Sequence, residues 1–205
     1  MTAILLCAGD GNRWKGPYPK QMVQVNGRYL IQRTAEMALL KSESLVVMVK
    51  SKDRAMPCFA GLEEYLMDAA ESRDITLTLH SSRLRWKGSV VVLLGDVLYS
   101  DWAAEELFTP RDVPYVLGTG SEIFGLSFPE SLHDYIINLL NICGGCGAEA
   151  HLCHLWRLLA GLPIHQHWKT PPTALQFFHY QPTNDITRDF DHFKDYQIWQ
   201  SFAHS

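Results

Sequence analysis

The stretch TAILLCAGDGNRWKGPYPK, residues 2–20, decides how this chain folds. It opens with the apolar run TAILLC, whose lack of polar alternation is typical of a strand that is covered on both faces of a sheet. Gly9 and Gly11 follow directly, and they let the backbone turn tightly while it presents its N–H groups to an anion. Arg13 and Lys20 can supply positive charge at the same place. The stretch therefore predicts a strand that leads into either an ordinary turn or a phosphate cradle.

Three further apolar runs and the helical patterns around them indicate the architecture. Residues 45–49, 75–79 and 90–94 resemble the first run in composition, and we predict that they are strands. The early order is strand, helix, strand, helix, strand, which predicts a layered α/β fold with a largely parallel sheet. Two later helices are also predicted. The helical patterns are carried by Leu30, Thr34, Met37 and Ala38; by Leu62, Leu66 and Ala69; by Leu132, Tyr135, Ile136 and Leu139; and by Leu152, Leu155, Trp156 and Leu159.

The composition is that of a globular chain. With 205 residues, 47% of them hydrophobic, and neither repeats nor a linker, we expect a single domain over residues 1–205. No apolar run approaches the roughly 18 residues that span a bilayer, and no leader pattern precedes the first strand. Five cysteines without a secretory signal suggest free thiols, so we expect a cytoplasmic protein without a membrane partner. A net charge of −4 argues against binding to nucleic acid.

Other glycine motifs do not fit the opening stretch. A dinucleotide-binding fingerprint needs a third glycine where Trp14 stands, and a P-loop needs a Gly-Lys-Ser/Thr sequence that is absent. Ligands of open α/β sheets bind beyond the carboxyl ends of the strands, which is where these glycines lie. A plain strand-to-loop turn stays possible from the residues alone.

A longer pattern, however, resembles a known family. Leu6-Cys7-Ala8-Gly9-Asp10-Gly11-Asn12-Arg13, then Pro19-Lys20, then Val25-Asn26-Gly27-Arg28-Tyr29-Leu30 resembles the opening of the nucleotidyltransferases that activate sugar or alcohol phosphates. The resemblance implies a nucleotide-diphospho-sugar transferase-like (GT-A-like) fold, a single α/β/α-layered domain with a mixed, mainly parallel central sheet. It implies that the arginine and the lysine neutralise phosphates and act in catalysis. The nucleotide-binding residues that it implies are Leu6, Ala8, Gly9, Asp10, Gly11, Asn12, Arg13 and Lys20.

Carboxylates near predicted strand ends are candidates for a metal site. Asp96 follows a glycine at the end of a predicted strand, and the resemblance implies that it is catalytic and binds Mg²⁺ together with Asp191. Asp189 could support that site or face solvent. Asp195 is predicted to stabilise the start of a terminal helix, and Asp101 to be the N-cap of another.

The resemblance implies a reaction between two phosphorylated compounds. A small phosphorylated acceptor, a sugar or an alcohol phosphate, would attack a nucleoside triphosphate and release pyrophosphate. A glycosyltransferase that uses a nucleotide sugar is an alternative, although it would be expected to have Asp-x-Asp where this chain has Gly-Asp-Val-Leu. A non-catalytic nucleotide-binding protein is another alternative, because residues 80–89 are too few for the helix and base-reading loop that the family usually has at this place. The nucleobase, the acceptor and the oligomeric state stay open.

Two polar groups have plainer interpretations. A cysteine and histidine cluster fits a packed helix better than a zinc site, so we expect no zinc. A basic group is expected to be a solvated loop, and Lys169 a surface lysine. The cluster is Cys143, Cys146, His151, Cys153 and His154; the basic group is Arg83, Arg85 and Lys87.

Overall fold

The computed structural model describes residues 1–9, 11, 13–69, 75–118, 123–145, 179–182, 187–190 and 192–203. In chain order the strands are β1 (Thr2–Leu6), β2 (Gln24–Val25), β3 (Arg28–Tyr29), β4 (Ser44–Val49), β5 (Leu66–Asp68), β6 (Val90–Leu94), β7 (Val97–Leu98), β8 (Tyr115–Gly118), β9 (Ile123–Phe128), β10 (His179–Pro182) and β11 (Arg188–Asp189). The α-helices are α1 (Leu30–Lys41), α2 (Ile75–Ser81), α3 (Asp101–Phe108), α4 (His133–Gly145) and α5 (Phe193–Ala203).

Seven of the described strands form the central sheet, in the order β10-β8-β9-β6-β1-β4-β5. Strand β9 runs antiparallel to both of its neighbours, and the other pairs are parallel. The predicted mixed, mainly parallel sheet is therefore confirmed. In the middle of the sheet, Leu6 lies opposite Leu94 on one side and Met48 on the other. The central strands thus end at one level, so the segments after them are neighbours.

Helices cover both faces of this sheet. Along β1, Ala3 and Leu5 belong to a buried cluster that includes residues of α1 and α3. Ile4 and Leu6 belong to a second cluster that includes residues of α2 and α4. Because successive strand residues point to opposite faces, the two clusters lie on opposite sides of the sheet. The predicted layered α/β arrangement is confirmed.

Two neighbouring elements are exchanged relative to the prediction. Residues 75–79, predicted as a strand, lie in helix α2, and the helix predicted from Leu62, Leu66 and Ala69 is instead a 3-10 turn followed by strand β5. Thr76 and Leu79 are fully buried at helical spacing, and α2 packs on α4 and β1. Packing thus overrides the strand preference of threonine.

This exchange changes the account of residues 80–89. A helix is present between β5 and β6, so the shortening inferred from the sequence resulted from reading that helix as a strand. The Arg83–Arg85 part of the segment forms a single 3-10 turn with exposed side chains, as expected of a solvated basic loop.

The remaining predicted elements agree with the structure where it describes them. Strands β1, β4 and β6 occupy the predicted runs, and α1 buries Leu30, Thr34 and Ala38. Helix α4 covers Tyr135, Ile136 and Leu139 of the predicted pattern, while Leu132 ends the 3-10 turn just before it. The helix predicted around Leu152 lies outside the described residues. Within the described ranges, no helix is both long enough and apolar enough to cross a membrane.

Candidate active site

The turn after β1 depends on one glycine in a conformation that other residues rarely adopt. Gly11 has φ +61°, and a Cβ atom on it would lie 3.4 Å from Cβ of Lys20. Gly9 is exposed, and a Cβ atom on it would meet nothing within 4 Å, so this glycine borders open space. The Gln21 side chain donates a hydrogen bond of 3.1 Å to the Gly9 carbonyl. The residue that follows the Pro-Lys pair therefore helps to fix the backbone of the turn.

The other nucleotide-binding candidates of the turn divide into two groups. Leu6 and Ala8 have buried side chains that belong to the core beneath the turn. A ligand at the turn would meet the backbone of these two residues rather than their side chains. Asp10 and Asn12 lie outside the described residues.

Lys20 lies between two carboxylates that come from distant parts of the chain. Its Nζ atom is 2.6 Å from Oδ2 of Asp96 and 3.6 Å from Oδ1 of Asp189. The side chains of Lys20 and Asp189 are only 10% and 12% exposed, and that of Asp96 is 33% exposed. Partial burial reduces solvent screening, so these charges interact more strongly than they would on an open surface. The cluster opens to solvent mainly at Asp96.

A short strand pair brings Asp189 to this position. Strands β7 and β11 are antiparallel, with Asp189 opposite Val97. The N–H of Phe190 donates to the carbonyl of Asp96 at 3.2 Å. The segment around residue 189 therefore lies directly beside the end of β6, and Asp189 faces the site rather than open solvent.

Arg13 lies on the same loop as the glycine turn, with an exposed side chain. Its carbonyl oxygen is 3.2 Å from Nδ1 of His192, which precedes α5. Lys15 is also exposed. The loop thus presents basic side chains outward while its backbone contacts the last described helix.

The predictions for the acidic residues have different outcomes. Asp191, the second predicted metal ligand, lies outside the described residues. Asp195 lies in the first turn of α5 and accepts a hydrogen bond of 3.0 Å from the N–H of His192, which confirms its structural role. The N-cap prediction for Asp101 is wrong by one residue. Ser100, with an extended backbone, places its hydroxyl oxygen 3.0 Å from the N–H of Ala103 and caps α3.

Cys7 and Gly95 bring the ends of β1 and β6 into contact. The N–H of Gly95 donates to the carbonyl of Leu6 at 3.0 Å, and a Cβ atom on Gly95 would lie 2.6 Å from Sγ of Cys7. Burial, with a smaller contribution from the Asp96 charge, raises the pKa of the Cys7 thiol well above its ordinary value. Cys7 is therefore a neutral packing residue, and the absence of a side chain at Gly95 allows Asp96 to stand beside the turn.

Tyr99 is a supporting residue that sequence reasoning missed. Its hydroxyl accepts a hydrogen bond of 2.8 Å from the N–H of Leu94 and donates to the carbonyl of Phe124. Burial raises the pKa of this phenol well above its ordinary value, and the nearby Asp96 and Asp189 charges act in the same direction. The phenol therefore stays protonated and joins β6 to β9 directly behind the site. Its proximity to Asp96 in sequence was the only available signal.

Sequence reasoning also missed the role of Trp14, because this residue was noted only for standing where a dinucleotide-binding fingerprint has its third glycine. It is buried and packs against α5.

The structure does not test the predictions for the cysteine and histidine cluster or for Lys169. Cys146, His151, Cys153, His154 and Lys169 lie outside the described residues, as does the side chain of Cys143. Among the described residues, no group of three or more histidine, cysteine or acidic side chains could hold a metal ion.

Solved structures show which fold the chain has. No family model matches it, and no curated protein matches it significantly. The inositol-1-phosphate CTP transferase from T. maritima superposes with a TM-score of 0.70 at 11% identity, over 97% of this chain and 93% of that one. CTP:phosphocholine cytidylyltransferase from Streptococcus pneumoniae gives 0.67 at 15% identity, over 98% of each chain. The 4-diphosphocytidyl-2C-methyl-D-erythritol synthase from Anaerococcus prevotii gives 0.66 at 14% identity, over 100% of this chain and 96% of that one. The chain therefore has the nucleotide-diphospho-sugar transferase-like fold of these nucleotidyltransferases.

Proposed function

We propose that this protein is a nucleotidyltransferase that transfers a nucleoside monophosphate group from a triphosphate to a phosphorylated sugar or alcohol, with release of pyrophosphate. The observation that carries the proposal is the meeting of Lys20, Asp96 and Asp189 beside the Gly11 turn. A cation and a glycine turn lie here beside Asp96, which follows the carboxyl end of a parallel strand, and beside Asp189 of the adjoining β11. Such a group suits the binding of a polyphosphate with its counter-ion.

The donor set fits Mg²⁺. The carboxylate oxygens of Asp96 and Asp189 face one ammonium group, so this position already accommodates a positive charge between two hard oxygen ligands. Asp96 and Asp191 are the ligands we propose, with Asp189 supporting them from the same segment. When bound, Mg²⁺ would neutralise phosphate charge and orient the two substrates.

The protein's own groups would then align two polyanions. An oxygen of the acceptor phosphate forms a bond to the α-phosphorus, and the bond from that phosphorus to the β-phosphate oxygen breaks in line, with its electron pair leaving on pyrophosphate. Lys20 would offset charge at the α-phosphate, and Arg13 would bind the departing pyrophosphate. The acceptor phosphate is already anionic, so no general base is required. Binding of the triphosphate would exchange the contact between Lys20 and Asp96 for one between Lys20 and a phosphate oxygen.

One structural and one sequence observation favour this function over the two alternatives. Helix α2 lies before β6, so the non-catalytic interpretation loses the shortened segment on which it depended. The segment after β6 begins Gly-Asp-Val-Leu, which lacks the Asp-x-Asp expected of the glycosyltransferase alternative. The similar structures named above include a CTP transferase for inositol 1-phosphate and a cytidylyltransferase for phosphocholine, which favours CTP and alcohol phosphates as the first substrates to try.

Pyrophosphate release tests the proposal directly. The protein is incubated with Mg²⁺, each of the four nucleoside triphosphates, and a panel of inositol, choline, glycerol and sugar phosphates. We expect release that depends on both the triphosphate and the acceptor, and that falls strongly in Lys20→Ala. Because Lys20 is assigned to the reacting phosphate, turnover should fall more than triphosphate affinity. Acceptor-independent release, or none with any pair, would reject this function.

A further inference from the structure

An aromatic cluster holds the loop between the glycine turn and Lys20 against α5. Trp14 is at the centre of this cluster and is only 4% exposed, although both of its sequence neighbours on the loop are exposed. Its ring meets that of Phe193 edge-on, with centroids 5.3 Å apart. The residues of the cluster are Trp14, Tyr18, Phe190, Phe193, Tyr196 and Trp199.

Hydrogen bonds of Trp14 join three parts of the chain. Its backbone N–H donates to the carbonyl of Gly11 at 2.9 Å, and its backbone carbonyl accepts from the N–H of Phe193 at 3.1 Å. The indole Nε1 donates to the carbonyl of Tyr18 at 2.8 Å. A Cβ atom on Gly16 would lie 2.4 Å from this Nε1, so the loop closes tightly around the indole. Trp14 therefore connects the glycine turn, the far end of the loop and the start of α5.

The loop backbone is strained where it passes the indole. Lys15 has φ +45°, a left-handed conformation that a lysine rarely adopts. Such a conformation persists only where its surroundings determine it. The packing and hydrogen bonds of Trp14 hold the backbone in place immediately before Lys15.

The two proposed phosphate-binding cations flank this anchor. Arg13 directly precedes Trp14, and Lys20 packs near Gly11, whose carbonyl accepts the Trp14 hydrogen bond. Without the anchor, the ligand itself would have to order residues 13–19 at a cost in conformational entropy. A preorganised loop avoids that cost when a triphosphate binds.

We propose that Trp14 is a positioning residue, which presets Arg13 for the distal phosphates of a nucleoside triphosphate by fixing the loop to α5. The proposal rests on the nucleotidyltransferase function proposed above.

Trp86 provides a matched control for substitutions of Trp14. It is 8% exposed, meets Phe128 edge-on at 5.2 Å, and donates from Nε1 to Oγ of Ser82 at 2.9 Å. It lies before the amino end of β6, whereas Asp96 follows the carboxyl end of that strand. Replacing either tryptophan thus removes a similar amount of packing, but only Trp14 lies in the loop.

Limited trypsin digestion tests the anchor without any ligand. Trypsin cleaves after Arg13 and Lys15, on either side of Trp14. We expect cleavage at these sites to be at least tenfold faster in Trp14→Ala than in wild type or Trp86→Ala, and within threefold of wild type in Trp14→Phe. If Trp14→Ala does not melt cooperatively, Trp14→Leu replaces it. Unchanged cleavage would overturn the proposal, because the loop would then not depend on this side chain.

Calorimetric titration tests the link to phosphate. Each of the four nucleoside triphosphates and its monophosphate is titrated into the same variants. We expect Trp14→Ala to weaken triphosphate binding about tenfold and monophosphate binding less than threefold, with Trp14→Phe restoring wild-type affinity and Trp86→Ala preserving it. Triphosphate affinity within threefold of wild type in a Trp14→Ala protein that is cleaved rapidly would overturn the positioning role alone. A wild type that binds no triphosphate would reject the proposed function, and the positioning role with it, whatever the trypsin result.

Discussion

The contact between Lys20 and Asp96 leads to a prediction about stability. Lys20→Met keeps the aliphatic stem but removes the ammonium that lies 2.6 Å from Asp96 and 3.6 Å from Asp189. Exposed ion pairs contribute about 0–1 kcal/mol, whereas removing one partner of a buried pair costs about 3–5 kcal/mol. Lys20 and Asp189 are nearly buried and Asp96 is one third exposed, so the pair falls between these limits. We expect the free energy of unfolding to fall by about 2 kcal/mol, which lowers the melting temperature by about 4–8 °C for a chain of this size.

A double-mutant cycle isolates this interaction. Wild type, Lys20→Met, Asp96→Asn and the double variant are unfolded in urea, in buffer that contains a chelator and no nucleotide. We expect a coupling energy of about 1–2 kcal/mol, because the two groups are in direct contact. Lys15→Met, which changes an exposed lysine of the same loop, should alter stability by less than about 0.5 kcal/mol. A coupling below about 0.3 kcal/mol, the level at which independent sites add, would refute the reasoning.

Lys20→Met also tests whether Asp96, a proposed metal ligand, and Asp189, its proposed support, can hold a divalent cation between them. Without the Lys20 ammonium, two carboxylates face a position that a divalent cation can occupy. Added Mg²⁺ should therefore raise the melting temperature of Lys20→Met more than that of wild type, because the ion binds only the folded state. An equal response of both proteins would contradict the idea that the carboxylates facing Lys20 take part in holding the ion.

Three further variants test the remaining parts of the site. Arg13→Ala should weaken triphosphate binding about tenfold, in line with the loss of one charge-assisted hydrogen bond, and monophosphate binding much less; calorimetry with both nucleotides measures this, and equal losses would contradict the assignment to the distal phosphates. Asp96→Asn should lower turnover more than about tenfold, or 1.4 kcal/mol of barrier, in the pyrophosphate assay; smaller losses would argue against a metal role. Gly95→Ala should cost about 1–3 kcal/mol in urea unfolding through overpacking, because its Cβ would lie 2.6 Å from Sγ of Cys7, and Cys7→Ala should recover part of that loss. A neutral Gly95→Ala would show that the strand ends are not in close contact.

Much of the site could be predicted because strand ends determine it. The runs at β1 and β6 are buried on both faces and therefore carry an unmistakable apolar pattern. Their parallel pairing brings the loops at their carboxyl ends to one edge of the sheet, so Lys20 and Asp96 are neighbours as the resemblance implied. The roles of these residues in binding and catalysis stay predictions.

The features that could not be predicted depend on contacts that leave no periodic signal. Strands β7 and β11 have two residues each, too few to show alternation, yet their pairing brings Asp189 to Lys20. The exchange of a strand and a helix around residues 62–81 arose because short apolar runs fit either structure until packing decides. The aromatic residues near α5 follow an amphipathic pattern, and that pattern does not indicate that they pack against Trp14.

The contact between the glycine loop and α5 sets an order of events during synthesis. Arg13 and His192 touch although they are 179 residues apart. On a ribosome the loop emerges early, but Asp189 and helix α5, to which the loop is fixed, emerge only after the described strands of the central sheet have been made. A nascent chain that has already formed most of its sheet therefore still lacks the assembled group of Lys20, Asp96 and Asp189, and it acquires this group only when contacts between residues far apart in sequence form.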